Sequence, residues 1–138
     1  REMFTLNVPI IVAVVGEGGS GGALGIGIGD RLLLMEHAYY SVITPEGCAA
    51  ILWRDGAKAN EAAEALKLTS SDLKELDLAD EIISEPLGGA HREFETAAEN
   101  LGQTLSTHLE DLQKYGRLEL RKHRYEKYRS TGAYQEAE

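Results

Sequence analysis

The chain has 138 residues and a mass of 15.1 kDa, room for one ordinary domain. Hydrophobic residues make up 43% and charged residues 27%, which excludes a wholly disordered or fibrous chain. With 14 Lys and Arg against 23 Asp and Glu, the net charge of -9 argues against general nucleic-acid binding, and the single cysteine, Cys48, excludes a disulfide framework and a Cys-rich zinc site.

No secretory signal pattern is visible. The most apolar stretch, Val8 to Ile28, contains Pro9, Glu17 and a cluster of glycines, poor material for a membrane span. A cytoplasmic protein is expected. Met3, Phe4 and Leu6 lead almost at once into a strand, so the chain reads as a fragment beginning in mid-fold. Charge is uneven along it. Residues 1–113 carry 7 basic and 19 acidic side chains, and residues 114–138 carry 7 and 4. The C-terminal tail is thus a separate, basic region.

Ile10 to Val15 is a continuous, mostly β-branched run, the pattern of a parallel strand buried on both faces. Gly16–Gly19 breaks it. Ser20 is expected to cap a short helix from Gly21 to about Ile28. Gly21, Gly25 and Gly29 share one face of that helix, and close approach of another backbone would reward such poor helix formers. Arg31–Met35 and Tyr39–Ile43 read as strands. Thr44-Pro45-Glu46 starts a helix to Trp53, with a cap, a proline and a first-turn acid. Ala57–Leu66 is helical, and Ser70 caps another short helix. Glu81–Ile83 is a strand, Pro86–Gly89 a loop, and Glu93–Gln113 and Arg117–Arg129 are terminal helices, the first with a stripe of Leu101, Leu105, Leu109 and Leu112. Alternating strands and helices predict an α/β fold.

Gly16 to Gly22 fits three chemical patterns. Gly16, Gly18 and Gly21 satisfy a dinucleotide fingerprint with Glu36 downstream, although the following helix is too short and too rich in glycine. Gly18-Gly19-Ser20-Gly21-Gly22 satisfies a nucleophile elbow, with Asp80 and His91 following in triad order. The third reading is an oxyanion hole made of backbone alone, in which Gly21 and Gly22 donate their N–H groups and no acid–base side chain is required. A turn that merely allows tight packing is the plain alternative.

Three blocks carry a resemblance: Val8 to Asp30, Tyr40 to Trp53, and Glu85 to Arg92. In this order they resemble the C-terminal half of the α subunit of bacterial and plastid acetyl-CoA carboxylase carboxyltransferase. The resemblance implies a partial ClpP/crotonase fold, a ββα superhelix over residues 1–90, with a helical extension over 91–138. It implies transfer of a carboxyl group from carboxybiotin, carried on biotin carboxyl carrier protein, to acetyl-CoA to give malonyl-CoA in fatty acid biosynthesis. It further implies a site between α and β subunits, with the α glycine pair on the biotin side matched here by Gly21 and Gly22. Negative charge on the biotin ureido oxygen would be held by their amides. Gly18, Gly19, Ser20, Glu46, Gly47, His91 and Arg92 are the substrate-binding candidates. The implied partners are the zinc-ribbon-bearing β subunit, the carrier protein and biotin carboxylase, in an α2β2 assembly, in cytoplasm or plastid stroma, with no metal in this chain and no membrane.

Each candidate also has a plainer role. Glu46 suits the helix dipole, Cys48 suits a buried apolar site, and His37 and His108 have no partner visible in sequence. Lys114 to Arg129 reads as a solvated helix, or as one that steers phosphates or an acidic carrier, with Tyr125 and Tyr128 available to a neighbouring subunit. Two other functions stay open: a non-catalytic assembly fragment, or a crotonase-fold acyl-CoA enzyme acting alone. The latter lacks an acid where Leu24 stands.

Overall fold

In a computed structural model that describes residues 2–132, the β-branched run forms β1 (Ile11–Val14). It pairs in parallel with β3 (Arg31–Met35), which pairs in parallel with β5 (Glu81–Ile83). β3 is central, and Leu32 to Met35 are all buried, as continuous apolar character requires of a strand covered on both faces.

A second sheet is not legible in the sequence. Glu17–Gly19 does not simply break the chain but forms β2, parallel to β4 (Tyr39–Ser41), with Gly18 opposite Tyr40. β1 and β3 lie in one sheet, β2 and β4 in the other. Each pair is followed by helix: α1 (Ser20–Ile26) after β2, and α2 (Pro45–Trp53) after β4. This is the expected ββα winding.

The expected start of α2 holds: the Thr44 hydroxyl accepts from Gly47 N at 3.1 Å, with Pro45 in the first turn. α2 packs on α3 (Ala59–Leu66) through Cys48, Ala49 and Ala62, and a 3-10 turn over Gly56–Lys58 precedes α3 in place of the continuous helix expected there. In α4 (Ser70–Glu75) the cap is Thr69 rather than Ser70. Thr69 and Asp72 form a reciprocal capping box, while Ser70 turns inward to the Glu36 carbonyl.

α5 (Phe94–Leu112) lays Ala97, Leu101 and Leu105 on the sheet and buries Leu112, leaving Leu109 partly exposed. α6 (Arg117–Ser130) is not a solvated helix. Leu120, Arg124, Lys127 and Tyr128 recur at helical spacing, and all four face the protein. Arg124 is only 1% exposed. Its Nε and Nη2 donate to the two Asp30 carboxylate oxygens at 2.9 and 2.7 Å. Its other donors reach the carbonyls of Phe4, Leu6 and Val8 at 2.8–3.1 Å, so every guanidinium N–H is used. Asp30 also accepts from Ile10 N at 2.7 Å.

Removing one partner of such a pair strands a buried charge. Arg124→Met is therefore expected to lower folding stability by about 3–5 kcal/mol, read as a shift in the urea midpoint. Arg124→Lys is expected to recover only a minor part, since an ammonium cannot span this fork of acceptors.

Candidate active site

The site is built where β2 runs into α1. The pairing with β4 holds Glu17–Gly19 extended, so Gly19 is the residue before the helix, with φ -132 and ψ 160. Ser20 is therefore not the cap. It sits inside the first turn with φ 61, a left-handed conformation that a non-glycine residue adopts at a cost of about 1–2 kcal/mol. No side chain caps α1. Among the described residues, neither the Gly21 nor the Gly22 amide donates to a side chain or a loop carbonyl. α1 ends at Ile26, earlier than expected, and Gly27 N closes onto the Ala23 carbonyl.

The glycines divide into two groups. A β-carbon on Gly18 would lie 2.7 Å from the Tyr40 ring, one on Gly27 would land on the Tyr40 hydroxyl, and one on Gly29 would lie 2.8 Å from the Ile10 carbonyl. These three are glycine for packing. Gly16, Gly21, Gly22 and Gly25 meet nothing within 4 Å. The expected close approach of a backbone is thus found at Gly29 and not at Gly21 or Gly25. Nothing among the described residues requires glycine at 21 or 22.

Beside the loop is a cavity of about 470 Å3, lined by Val12–Val15 of β1 and its end, by Gly16–Gly19, and by Gly22, Ala23, Ile26, Gly27 and Tyr40. Its walls are apolar apart from backbone, Glu17 and the tyrosine hydroxyl. A second recess of about 270 Å3 lies under Ser20, between Gly19, Tyr39 and Ser41–Thr44. The Tyr39 hydroxyl stays protonated above its usual range, first through desolvation and then through the carboxylates of Glu17 and Glu46. Glu46, in the first turn of α2, lines neither space, and Gly47 packs on Ile43.

The structure brings together Gly18, Gly19 and Gly22 around the cavity, with Gly21 beside them on α1 and Ser20 over the second recess. His91 and Arg92 are exposed on another loop and line neither space. Gly88 and Gly89, at φ +92 and +95, fold that loop so tightly that both side chains pack back on the glycines. The Ser20–Asp80–His91 triad does not assemble. Asp80 accepts from Leu32 N at 2.6 Å and pairs with Lys127. The dinucleotide reading also fails, since Gly18 is packed under Tyr40 and α1 has only 7 residues. His37 and His108 do have partners, Glu85 at 3.4 Å and Glu81 at 2.8 Å. No group of three or more potential metal-ligating side chains occurs among the described residues.

Sequence reasoning misses the supports of α1. The Tyr40 hydroxyl donates to the Ala23 carbonyl. The Tyr128 hydroxyl lies 2.6 Å from the Gly27 carbonyl and 2.9 Å from that of Gly29, donating to one at a time. Glycine at 27 is the available signal, since it stands outside the helical repeat assigned to Gly21, Gly25 and Gly29.

Residues 1–132 match the family described as acetyl co-enzyme A carboxylase carboxyltransferase-like. The chain belongs to this family. It is 58% identical over 136 residues to the acetyl-coenzyme A carboxylase carboxyl transferase subunit alpha of Geobacter metallireducens, covering 99% of this chain and 43% of that one. It is 58% identical over 137 residues to the same subunit of Synechococcus elongatus, covering 99% and 42%. The chain therefore spans about two-fifths of the length of these relatives. Among solved structures, transcarboxylase 12S has a similar fold, with a TM-score of 0.51 at 20% identity over 74% of this chain and 22% of that one. The α/β fold is accordingly of the crotonase type.

Two outcomes separate the glycines experimentally. Gly25→Ala is expected to raise stability by about 0.5–1 kcal/mol, because alanine suits a helix and meets no neighbour. Gly18→Ala is expected to lower stability, because Tyr40 must move. Thermal melts of both variants check the opposite signs.

Burial, then the neighbouring Tyr40, Asp80 and Asp30, push the Tyr128 hydroxyl up to about 12. The fold thus favours its neutral form, and that contribution is complete below the usual value near 10 and lost as pH rises toward 12. Melting temperature is expected to fall across this window, and to fall less in Tyr128→Phe.

Proposed function

We propose that this chain supplies the carboxybiotin half of a carboxyltransferase site that makes malonyl-CoA from acetyl-CoA. The observation that carries this is the pair Gly21–Gly22: two glycines in an uncapped first turn, where an added β-carbon would meet nothing within 4 Å, beside an apolar cavity. A glycine costs a helix about 1 kcal/mol relative to alanine. When the fold exacts no such residue, the demand comes from whatever approaches from outside.

Carboxybiotin, delivered on biotin carboxyl carrier protein, supplies the carboxyl group. The Gly21 and Gly22 amides point the positive end of α1 at the oxygen that gains charge as that group departs. At about 470 Å3 the cavity has room for a small bicyclic ring, and its apolar walls suit one. The Gly18 and Gly19 backbone lines the cavity, Ser20 borders the neighbouring recess, and Glu46 stands in the first turn of α2. Gly47 sets the first turn of α2. His91 and Arg92, exposed beyond the β5 end of the sheet, are contacts for substrate or partner. No side chain of this chain is required as acid or base.

A β subunit bearing a zinc ribbon completes the site and holds acetyl-CoA, within an α2β2 carboxyltransferase that works with biotin carboxylase in cytoplasm or plastid stroma. Residues 1–90 carry the glycine loop, and α5 and α6 of the extension that follows brace it. Exposed Leu24, Ile26, Val42, Ile51 and Leu52 support a chain that works within an assembly. No helix among the described residues is long and apolar enough to cross a membrane.

The test is malonyl-CoA formation from acetyl-CoA and carboxybiotin. The chain alone is expected to be inactive, and an α subunit carrying this sequence is expected to be active with a β subunit. In that complex Gly22→Val should lower kcat by roughly a hundredfold or more without unfolding. Turnover by the chain alone, or full activity of the valine variant, overturns the assignment.

A further inference from the structure

The reading of Gly21 and Gly22 as donors leaves open what aims them. A helix of 7 residues, with three glycines and no side-chain cap, has little rigidity of its own. We propose that Tyr40 and Tyr128 are positioning residues that fix the direction of α1 by gripping its C-terminal end, an inference that rests on the oxyanion-hole assignment above.

The two tyrosines come from different elements. Tyr40, on β4, passes its ring between Gly18 and Gly27, and its hydroxyl donates to the Ala23 carbonyl, which also accepts from Gly27 N. Tyr128, on α6, places its hydroxyl between the Gly27 and Gly29 carbonyls. Phe4 backs the Tyr128 ring edge-on, with ring centroids 5.9 Å apart. A hydroxyl proton at a helix C-terminus also opposes the negative end of the dipole.

The grip explains the glycines that the oxyanion hole leaves unexplained. Gly18 and Gly27 lack side chains because the Tyr40 ring and hydroxyl occupy that space. Both tyrosines hold the axis of α1 without approaching Gly21 or Gly22. Loss of either hydroxyl thus tilts the donors, and because Tyr40 also lines the cavity while Tyr128 does not, Tyr128 isolates the positioning effect. Misplacement by about 1 Å can cost a hundredfold in rate. The loss should fall on kcat and not on KM, because the interaction is made in the transition state.

The experiment uses the α–β complex with an α subunit carrying this sequence, in five forms: unchanged, Tyr40→Phe, Tyr128→Phe, Tyr125→Phe as a control on the exposed side of α6, and Gly22→Val. Rates are expressed per folded complex. Both inner phenylalanine variants should lose about tenfold or more in kcat, with KM for acetyl-CoA changed by no more than about twofold. Tyr125→Phe should match the unchanged complex. Loss of activity in Gly22→Val alone, with both inner variants at full kcat, overturns the positioning role and leaves the oxyanion hole standing. Full activity in Gly22→Val overturns the oxyanion hole. A readout independent of turnover decides the positioning claim in either case. In the 15N-labelled chain, Tyr40→Phe and Tyr128→Phe should shift the Gly21 and Gly22 amide resonances and leave Gly102 on α5 unmoved. Unshifted Gly21 and Gly22 amides overturn the proposal.

Discussion

The ion pair of Arg124 and Asp30 is the constraint on which the rest of this structure depends. Both groups are withdrawn from water, and a buried charge is tolerated only when its partners replace its hydration. Here they do. The guanidinium joins the carboxylate to three carbonyls of the N-terminal segment, while the carboxylate also holds the Ile10 amide at the entrance to β1. One residue near the C-terminus thereby fixes the start of the first sheet and the exit of α1. The neighbouring Lys127 and Tyr128 extend the same hold to Asp80 and to Gly27–Gly29.

From that anchor the site follows by exclusion. β1 and β3 cannot move apart from Asp30, and β2 pairs with β4, so the glycine loop is stretched between two sheets before it enters α1. The same residue type then serves opposite ends. Gly18 and Gly27 are filled from within by Tyr40, whereas Gly21 and Gly22 are left open. An identical residue therefore carries different meaning a few positions apart, and only the neighbours tell the two apart.

The local devices are legible in sequence. β1, the Thr44-Pro45 start of α2, β5 and both terminal helices are readable because their signals lie within a few residues of the structure they specify. What depends on distant partners is not. β2 is rich in glycine and becomes a strand only because Tyr39–Ser41 lies alongside it. Ser20 resembles a cap because it follows a glycine run, yet the strand pairing hands the cap position to Gly19. Arg124 resembles one of many exposed cations, and its partner Asp30 is 94 residues away. At the candidate site, the glycine pair is legible through the quoted blocks. The tyrosines that hold it are hidden by the same separation in sequence.

That separation has a consequence during synthesis. Asp30 leaves the ribosome 94 residues ahead of the side chain that neutralises it. At about 5–20 residues per second, the interval is roughly 5 to 20 seconds. Throughout it the carboxylate must remain hydrated, so the segment from Val8 to Asp30 cannot close over its own core. The entrance to the first sheet is thus made well before the fold around it can be completed. A nascent chain stalled before residue 124 would present an open glycine loop to the chaperones that meet it.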